Sequence, residues 1–386
     1  MARRFGEAAF VLLLLLAPSS GRATEPFLID PLPEADRPPL VLSFVGDIMH
    51  HRRNAEMPDY DRLYDEVRPL LSVDDLSFAN IEFPVDPSRE PAGYPLFNGS
   101  RDYLEAAVRG GFDVLALANN HTFDLGESGV LGTSAVVADL IASAGVRASG
   151  IRSAPGSPIT LTRIHHRGWL IGFVSIASFS NVPGSSRHVN LVGYLDDGAR
   201  AAFVDRVRDW SGEVDLLVVA IHDGIEYSTT PAAHKVDFFR QVSDAGAHIV
   251  WGHHPHVLQP WEPREGRLIV YSAGNFVSAQ RRYQSPYVPV GRWAPTGDAA
   301  IYQARVERGP TGARVTRVRT RLRTMVDDPH HGLVLRSFDR VLADDLSLAW
   351  RAFYLARYAA ARRLVTTAGG AVTARRAPES YSTRAR

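Results

Sequence analysis

Ala247-His248-Ile249-Val250-Trp251-Gly252-His253-His254-Pro255-His256-Val257-Leu258-Gln259-Pro260 joins a mostly apolar run to three histidines. A short apolar run of this kind reads as a buried strand, with the histidines emerging at its C-terminal end. His254 and His256 are two apart, and Pro255 disfavours helical backbone in the residue before it. The segment is therefore expected to be extended, with both imidazoles on one side. Neutral imidazole is a ligand for Zn, Mn, Fe or Ni. The same residues also fit a polar loop of hydrogen-bonded histidines, so the other strand ends must decide.

Outward from this stretch the pattern repeats. Residues 215–221 are apolar and end in His222, and residues 268–271 lead to Asn275. Residues 40–45 end in Gly46-Asp47, and residues 75–79 in Asn80-Ile81-Glu82. Residues 112–118 deliver Asn119-Asn120-His121, with Asp124 three positions on. An aspartate at that distance can orient the imidazole, which makes His121 and Asp124 an acid–base candidate pair. Helices are expected at 60–71, 102–110, 129–145, 199–210 and 232–245, and 159–161 with 169–176 as a hairpin-like pair. Each polar residue taken alone also fits a helix cap or a turn. Ligand sites of α/β sheets lie at strand C-termini, so six strands ending in carboxylate, amide or imidazole predict one converged site.

Beyond residue 280, residues 300–306 and 315–322 read as a β-hairpin around Gly309-Pro310. Its second strand alternates Arg317, Arg319, Arg321 and Arg323 with Val318, Thr320 and Leu322. That makes a basic face, suited to a solvated edge or an anionic polymer. Residues 337–365 read as amphipathic helix and 366–386 as a disordered tail.

The formal charge of +1 gives no bulk bias toward nucleic acid, and none is expected as a partner. With no cysteine, disulfides, thiolate ligands and a lipid-modified N-terminal cysteine are excluded. Arg3 and Arg4, the apolar residues 8–17 and Gly21-Arg22-Ala23 describe a secretory signal peptide, residues 1–23. Ten apolar residues fall short of the roughly 20 that span a bilayer. An exported protein of the periplasm, extracellular space or cell envelope is expected, with no transmembrane segment after cleavage. Residues 24–39, rich in proline, read as a linker.

Gly46-Asp47-Ile48-Met49, Asn80-x-Glu82, Ala118-Asn119-Asn120-His121-x-x-Asp124-x-Gly126, His222-x-Gly224-x-Glu226-Tyr227, Gly252-His253-His254-Pro255-His256-Val257 and Tyr271-Ser272-x-Gly274-Asn275-Phe276 occur in that order. Together they resemble the successive motifs of the CapA family of capsule or poly-γ-glutamate biosynthesis proteins, within the calcineurin-like metallophosphoesterase superfamily. The resemblance implies a four-layer α/β/β/α sandwich over residues 40–326, with a helical appendage at 327–365. It also implies two divalent ions, Mn, Fe or Zn, at the meeting strand ends. Asp47, Asn120, His222, His254 and His256 resemble metal ligands, and Glu82 stands in place of the bridging carboxylate. His121 resembles the histidine beside the leaving group, with Asp124 behind it. Arg52, Asn80, Glu226 and Asn275 are expected on the substrate side.

Two positions depart from the superfamily. Met49 stands where a histidine is usual, with His50 and His51 one and two residues later, and Asn80-x-Glu82 replaces an aspartate. The implied activity is hydrolysis or transfer at a phosphoester or an envelope polymer linkage. The alternative is a non-hydrolytic factor that binds an anionic capsule polymer such as poly-γ-glutamate, with capsule-assembly proteins as partners.

Overall fold

The structure, a computed structural model, describes residues 37–280, 286, 293–328 and 332–366. The expected signal segment (1–23), most of the linker (24–39) and the tail beyond Thr366 lie outside the described residues.

The N-terminal half runs β1 (Leu40–Ile48), α1 (Arg52–Ala55), α2 (Arg68–Leu71), β2 (Leu76–Ile81), α3 (Arg101–Arg109), β3 (Val114–Ala116), α4 (Gly126–Ala144) and β4 (Arg147–Ser149). The chain continues through β5 (Thr162–His166), β6 (Trp169–Ala177), α5 (Asp197–Ser211), β7 (Leu216–His222), α6 (Ala233–Asp244), β8 (Ile249–His253), β9 (Trp261–Arg264) and β10 (Arg267–Val270). It closes with β11 (Asn275–Val277), β12 (Asp298–Gly309), β13 (Gly312–Asp328), β14 (Gly332–Ser337), α7 (Phe338–Ala343) and α8 (Leu348–Thr366).

Among the described residues these strands make two sheets. One has the order β14-β13-β12-β1-β2-β3-β4 with β11 alongside β1, and the other β5-β6-β7-β8-β10-β9. β1 through β4 are parallel, as are β6, β7, β8 and β10. Alternate side chains of each strand enter different layers, as the two-residue period requires. Phe44, Phe78, Phe173, Val218 and Trp251 pack between the sheets. Val45 and Leu115 turn outward to α3 and α4, while Val174 and Val219 turn outward to α5 and α6. The result is the α/β/β/α order. Trp251 pins the sheets together: its ring lies 5.6 Å from Phe44, and its indole N–H donates to the Val45 carbonyl at 2.9 Å.

Two sequence expectations change. Residues 60–71 are not one helix but a 3₁₀ turn, Tyr60–Leu63, followed by α2. Pro69 has no N–H to give the Asp65 carbonyl, so a continuous helix would lose a bond there. Residues 332–337 form a strand paired with β13 rather than part of a helical appendage. The helices that follow rest on the first sheet. Ala361 and Val365 of α8 join the inter-sheet cluster, and the Arg357 guanidinium reaches the buried carboxylate of Asp298 at 2.8 Å.

Candidate metal centre

The carboxyl ends of β1, β2, β7 and β8 meet at one buried point. Gly46 makes the approach possible: a Cβ there would lie 1.7 Å from the Gly274 carbonyl oxygen. That contact lets the Asp47 N–H bond the same oxygen at 3.0 Å. The Asp47 carboxylate is fully buried and accepts from the Asn80 amide at 2.8 Å and from His256 Nδ1, 3.1 Å away. The Asn80 amide also reaches Glu82 at 3.3 Å, so these two residues share a side as their spacing predicts. Glu82 Oε1 has no hydrogen-bond partner, and lies 3.7 Å from both His222 Nε2 and His256 Nε2. His222 Nε2 is 2.8 Å from the Asn120 side-chain oxygen. Asn275 places its oxygen 3.0 Å from His256 Nδ1, and its amide is held by the Thr296 carbonyl and Gln280.

His254 and His256 do converge, their rings 5.7 Å apart, but not from an extended backbone. Both have positive φ, 91° and 56°. The chain bends so that the rings turn back toward Glu82 and Asp47 on the other sheet. The bend is held by the Tyr227 N–H donating to the Pro255 carbonyl at 2.8 Å. Strain of this kind persists only where its surroundings impose it.

The electrostatics are those of a site short of positive charge. Burial, then the charges of Asp47, Glu226 and Asp124, hold the Glu82 carboxyl well above its ordinary range. Burial also tends to raise Asp47, but the hydrogen bond and charge of His256 prevail and lower it. Burial and the neighbouring imidazoles push His222 well below its ordinary value, and burial takes His253 and His254 down to about 3. These are neutral rings with lone pairs available. Glu82 with His254 and His256, and Glu82 with Asp47 and His222, each gather ligand atoms within 4.8 Å. Glu82 belongs to both groups. The unpartnered Glu82 Oε1, His222 Nδ1 and His254 Nδ1, all buried, fit a bound cation.

Beside this centre, His121 Nδ1 lies 2.7 Å from the Asp124 carboxylate, which also accepts the Phe97 N–H at 2.9 Å. The imidazole is further packed edge-on against Phe97. Exposed Glu226 acts on Glu82 and His256 through its charge. Arg52 does not join the cluster: its side chain is 84% exposed and pairs with Glu56 one helical turn on. Met49 is core, and His50 packs edge-on against Tyr103 with Nδ1 3.3 Å from the Ala92 carbonyl. His51 lies against Phe97 and accepts from the Ala279 N–H.

The sequence reading missed Asn181 and Phe179, both on the segment after β6. The Asn181 amide oxygen accepts from Asn120 at 3.3 Å, and its nitrogen lies 3.4 Å from His121 Nδ1. Phe179 packs edge-on against His254 at 4.7 Å. The signal was available, since β6 is one more apolar strand with polar residues beyond its end.

The family model for the bacterial capsule synthesis protein PGA_cap matches residues 41–280, the span that includes Asp47, Glu82, Asn120, His222, His254 and His256. The chain belongs to that family. Within it, the PGA biosynthesis protein CapA of Bacillus subtilis is 29% identical over 322 residues, covering 81% of this chain and 80% of the relative. The capsule biosynthesis protein CapA of Bacillus anthracis is 29% identical over 304 residues, covering 76% and 70%. Among solved structures, a calcineurin-like phosphoesterase of Bacillus subtilis aligns at 12% identity and TM-score 0.42, over 74% of this chain and 91% of that one. A hypothetical protein from Thermus thermophilus aligns at 18% and 0.41, over 73% and 98%. Overlaps of that depth are coarse, and membership of the PGA_cap family rests on the sequence match. No helix among the described residues is long and apolar enough to cross a membrane.

Proposed function

We propose that this PGA_cap protein is an exported hydrolase or transferase that acts on a phosphoester or an envelope polymer linkage with two divalent ions. The observation that carries the reading is Glu82, buried, unpartnered at Oε1 and common to two ligand groups. Asp47, Glu82 and His222, with Asn120, would hold one ion, and Glu82, His254 and His256 the other. When bound, such a pair supplies Lewis acidity and an activated water, and Mn, Fe or Zn suits this mixture of oxygen and imidazole donors.

The chain's own residues set the rest. Asn80 and Asn275 fix Asp47 and His256 by hydrogen bonds, so the donors need little reorganisation. Asp124 orients the His121 imidazole, leaving Nε2 to deliver a proton to a leaving group. Asn181 and Phe179 wall the site on the β6 side, and Glu226 guards its rim. Turnover of a panel of phosphomonoesters and phosphodiesters tests the reading, with protein loaded with Mn, Fe or Zn and with His254→Ala as control. Metal-dependent turnover absent from His254→Ala is the expected result; no turnover with any metal rejects it.

A second reading is a non-hydrolytic binder of an anionic capsule polymer, working with capsule-assembly proteins. The basic row on β13 favours it: exposed Arg317 and Arg319 have no carboxylate partner among the described residues, and Arg317 sits directly across from Arg305. Binding of an anionic polymer that survives loss of metal would support this reading over the first.

A further inference from the structure

Asn181 reaches the residues of the first sheet from the second one. It lies on the segment after β6, which is held from both sides. The Ser178 N–H donates to the His222 carbonyl at 3.0 Å on its own sheet, and the Asn181 N–H donates to the Asn120 carbonyl at 3.0 Å beyond the end of β3. Val182 packs against the cluster of Ala118, Phe123 and Ala177. The backbone is thus fixed, although Asn181 itself is exposed. Asn120 and His121, which it touches, are buried, so Asn181 stands between them and solvent.

Its side-chain amide serves both neighbours. Oδ1 accepts from Asn120 Nδ2 at 3.3 Å, while Asn120 turns its own oxygen to within 2.8 Å of His222 Nε2. An amide has a donor end and an acceptor end, and only the oxygen end is a metal ligand. By accepting from the nitrogen end, Asn181 decides which end of Asn120 faces the centre. Asn181 Nδ2 lies 3.4 Å from His121 Nδ1 and 3.5 Å from Nε2. A group almost equally far from both nitrogens at that range lies over the face of the imidazole, since in the ring plane it would run into the carbon between them. Nδ1 is left to Asp124 at 2.7 Å, and Phe97 packs against the ring at 80° and 4.7 Å. Three contacts therefore hold the His121 ring in one plane.

We infer that Asn181 is a positioning residue for the proposed reaction, a role that rests on the metal-hydrolase reading. It keeps the Asn120 oxygen turned to the metal and the His121 ring turned to the leaving group. One amide from the second sheet sets both the ligand and the proton donor.

The test uses the full chain and two readouts. The first is Mn affinity, by titration of metal-free protein. Asn181→Ala should weaken it by about tenfold, the usual cost of freeing a ligand from its hydrogen-bond partner. The second is leaving-group preference at saturating Mn, as the ratio of turnover of p-nitrophenyl phosphate to that of an alkyl phosphate. Nitrophenolate departs without a proton and an alkoxide does not, so this ratio reads proton donation. Asn181→Ala should raise the ratio by at least about tenfold, and should add nothing to the ratio already raised in His121→Ala. Asn181→Gln, which keeps both ends of the amide, should recover part of both losses. Unchanged Mn affinity in Asn181→Ala, or ratios that multiply in the double variant, overturns the proposal. A wild type without turnover rejects the hydrolase reading instead. Mn affinity then decides: weakening in Asn181→Ala supports the hold on Asn120, and no change overturns it.

Discussion

Glu82→Gln separates a shared metal ligand from a structural ion-pair partner, because the two roles give effects of opposite sign. Glu82 belongs to both ligand groups, whereas His222 belongs to one. A cation bound only by the folded chain at 100 times its dissociation constant adds about 2.7 kcal/mol per site. At roughly 2–4 °C per kcal/mol, metal should raise the wild-type melting temperature by roughly 10–20 °C with both sites filled. His222→Ala keeps Glu82, His254 and His256 and should retain about half of that shift. Glu82→Gln should retain almost none. In chelator the order changes. The folded-state pKa of Glu82 is raised by burial and by Asp47, so its carboxylate costs stability as pH climbs above the ordinary value. Metal-free Glu82→Gln at neutral pH should therefore be at least as stable as metal-free wild type. Scanning calorimetry with Mn or Zn, and with chelator, reads both effects. A wild-type metal shift in Glu82→Gln, or a metal-free variant several degrees less stable than wild type, would refute the reasoning and make Glu82 a partner of His222 and His256.

His121→Ala should keep its metal and lose roughly 10²–10⁴-fold in turnover if His121 is the proton donor; loss of metal equal to that in His254→Ala, read by elemental analysis, contradicts the role. Gly46→Ala should cost at least about 2 kcal/mol in denaturant midpoint and also weaken metal binding. Its Cβ must push the Gly274 carbonyl away, which separates Asp47 from Asn275; an unchanged midpoint sinks this. Burial takes His248 down to about 4, and its Nδ1 accepts the Leu217 N–H at 3.0 Å. The folded chain thus favours the neutral ring, and stability present above the unfolded pKa of 6.5 is lost as pH falls toward 4. The loss is about 3 kcal/mol by pH 4. His248→Asn, which keeps an acceptor but cannot titrate, should flatten the fall; parallel curves in urea would exclude His248 as the cause.

The layers of the fold were legible because strands buried on both faces are apolar without interruption, as at residues 216–221, and their polar successors stand out. The convergence of Asp47, Glu82, His222 and His254 followed from strand direction. Backbone shape did not. Nothing local marks His254 and His256 for positive φ, since that bend is imposed by contacts with the segment around Tyr227. Asn181 was passed over because β6 was read as half of a hairpin, although it also lies parallel to β7. Arg52 matched by spacing alone, and spacing does not say that Glu56 one turn later captures its guanidinium. Residues 332–337 are too few to separate strand from helix by periodicity, and pairing with β13 decided them.

The most direct test is the metal content of the purified full chain, measured by elemental analysis before and after chelation and in Glu82→Gln. Two equivalents of divalent metal per chain, removed by chelator and absent from Glu82→Gln, is the predicted result. Wild-type protein that holds no divalent metal after incubation with Mn, Fe and Zn would contradict the account.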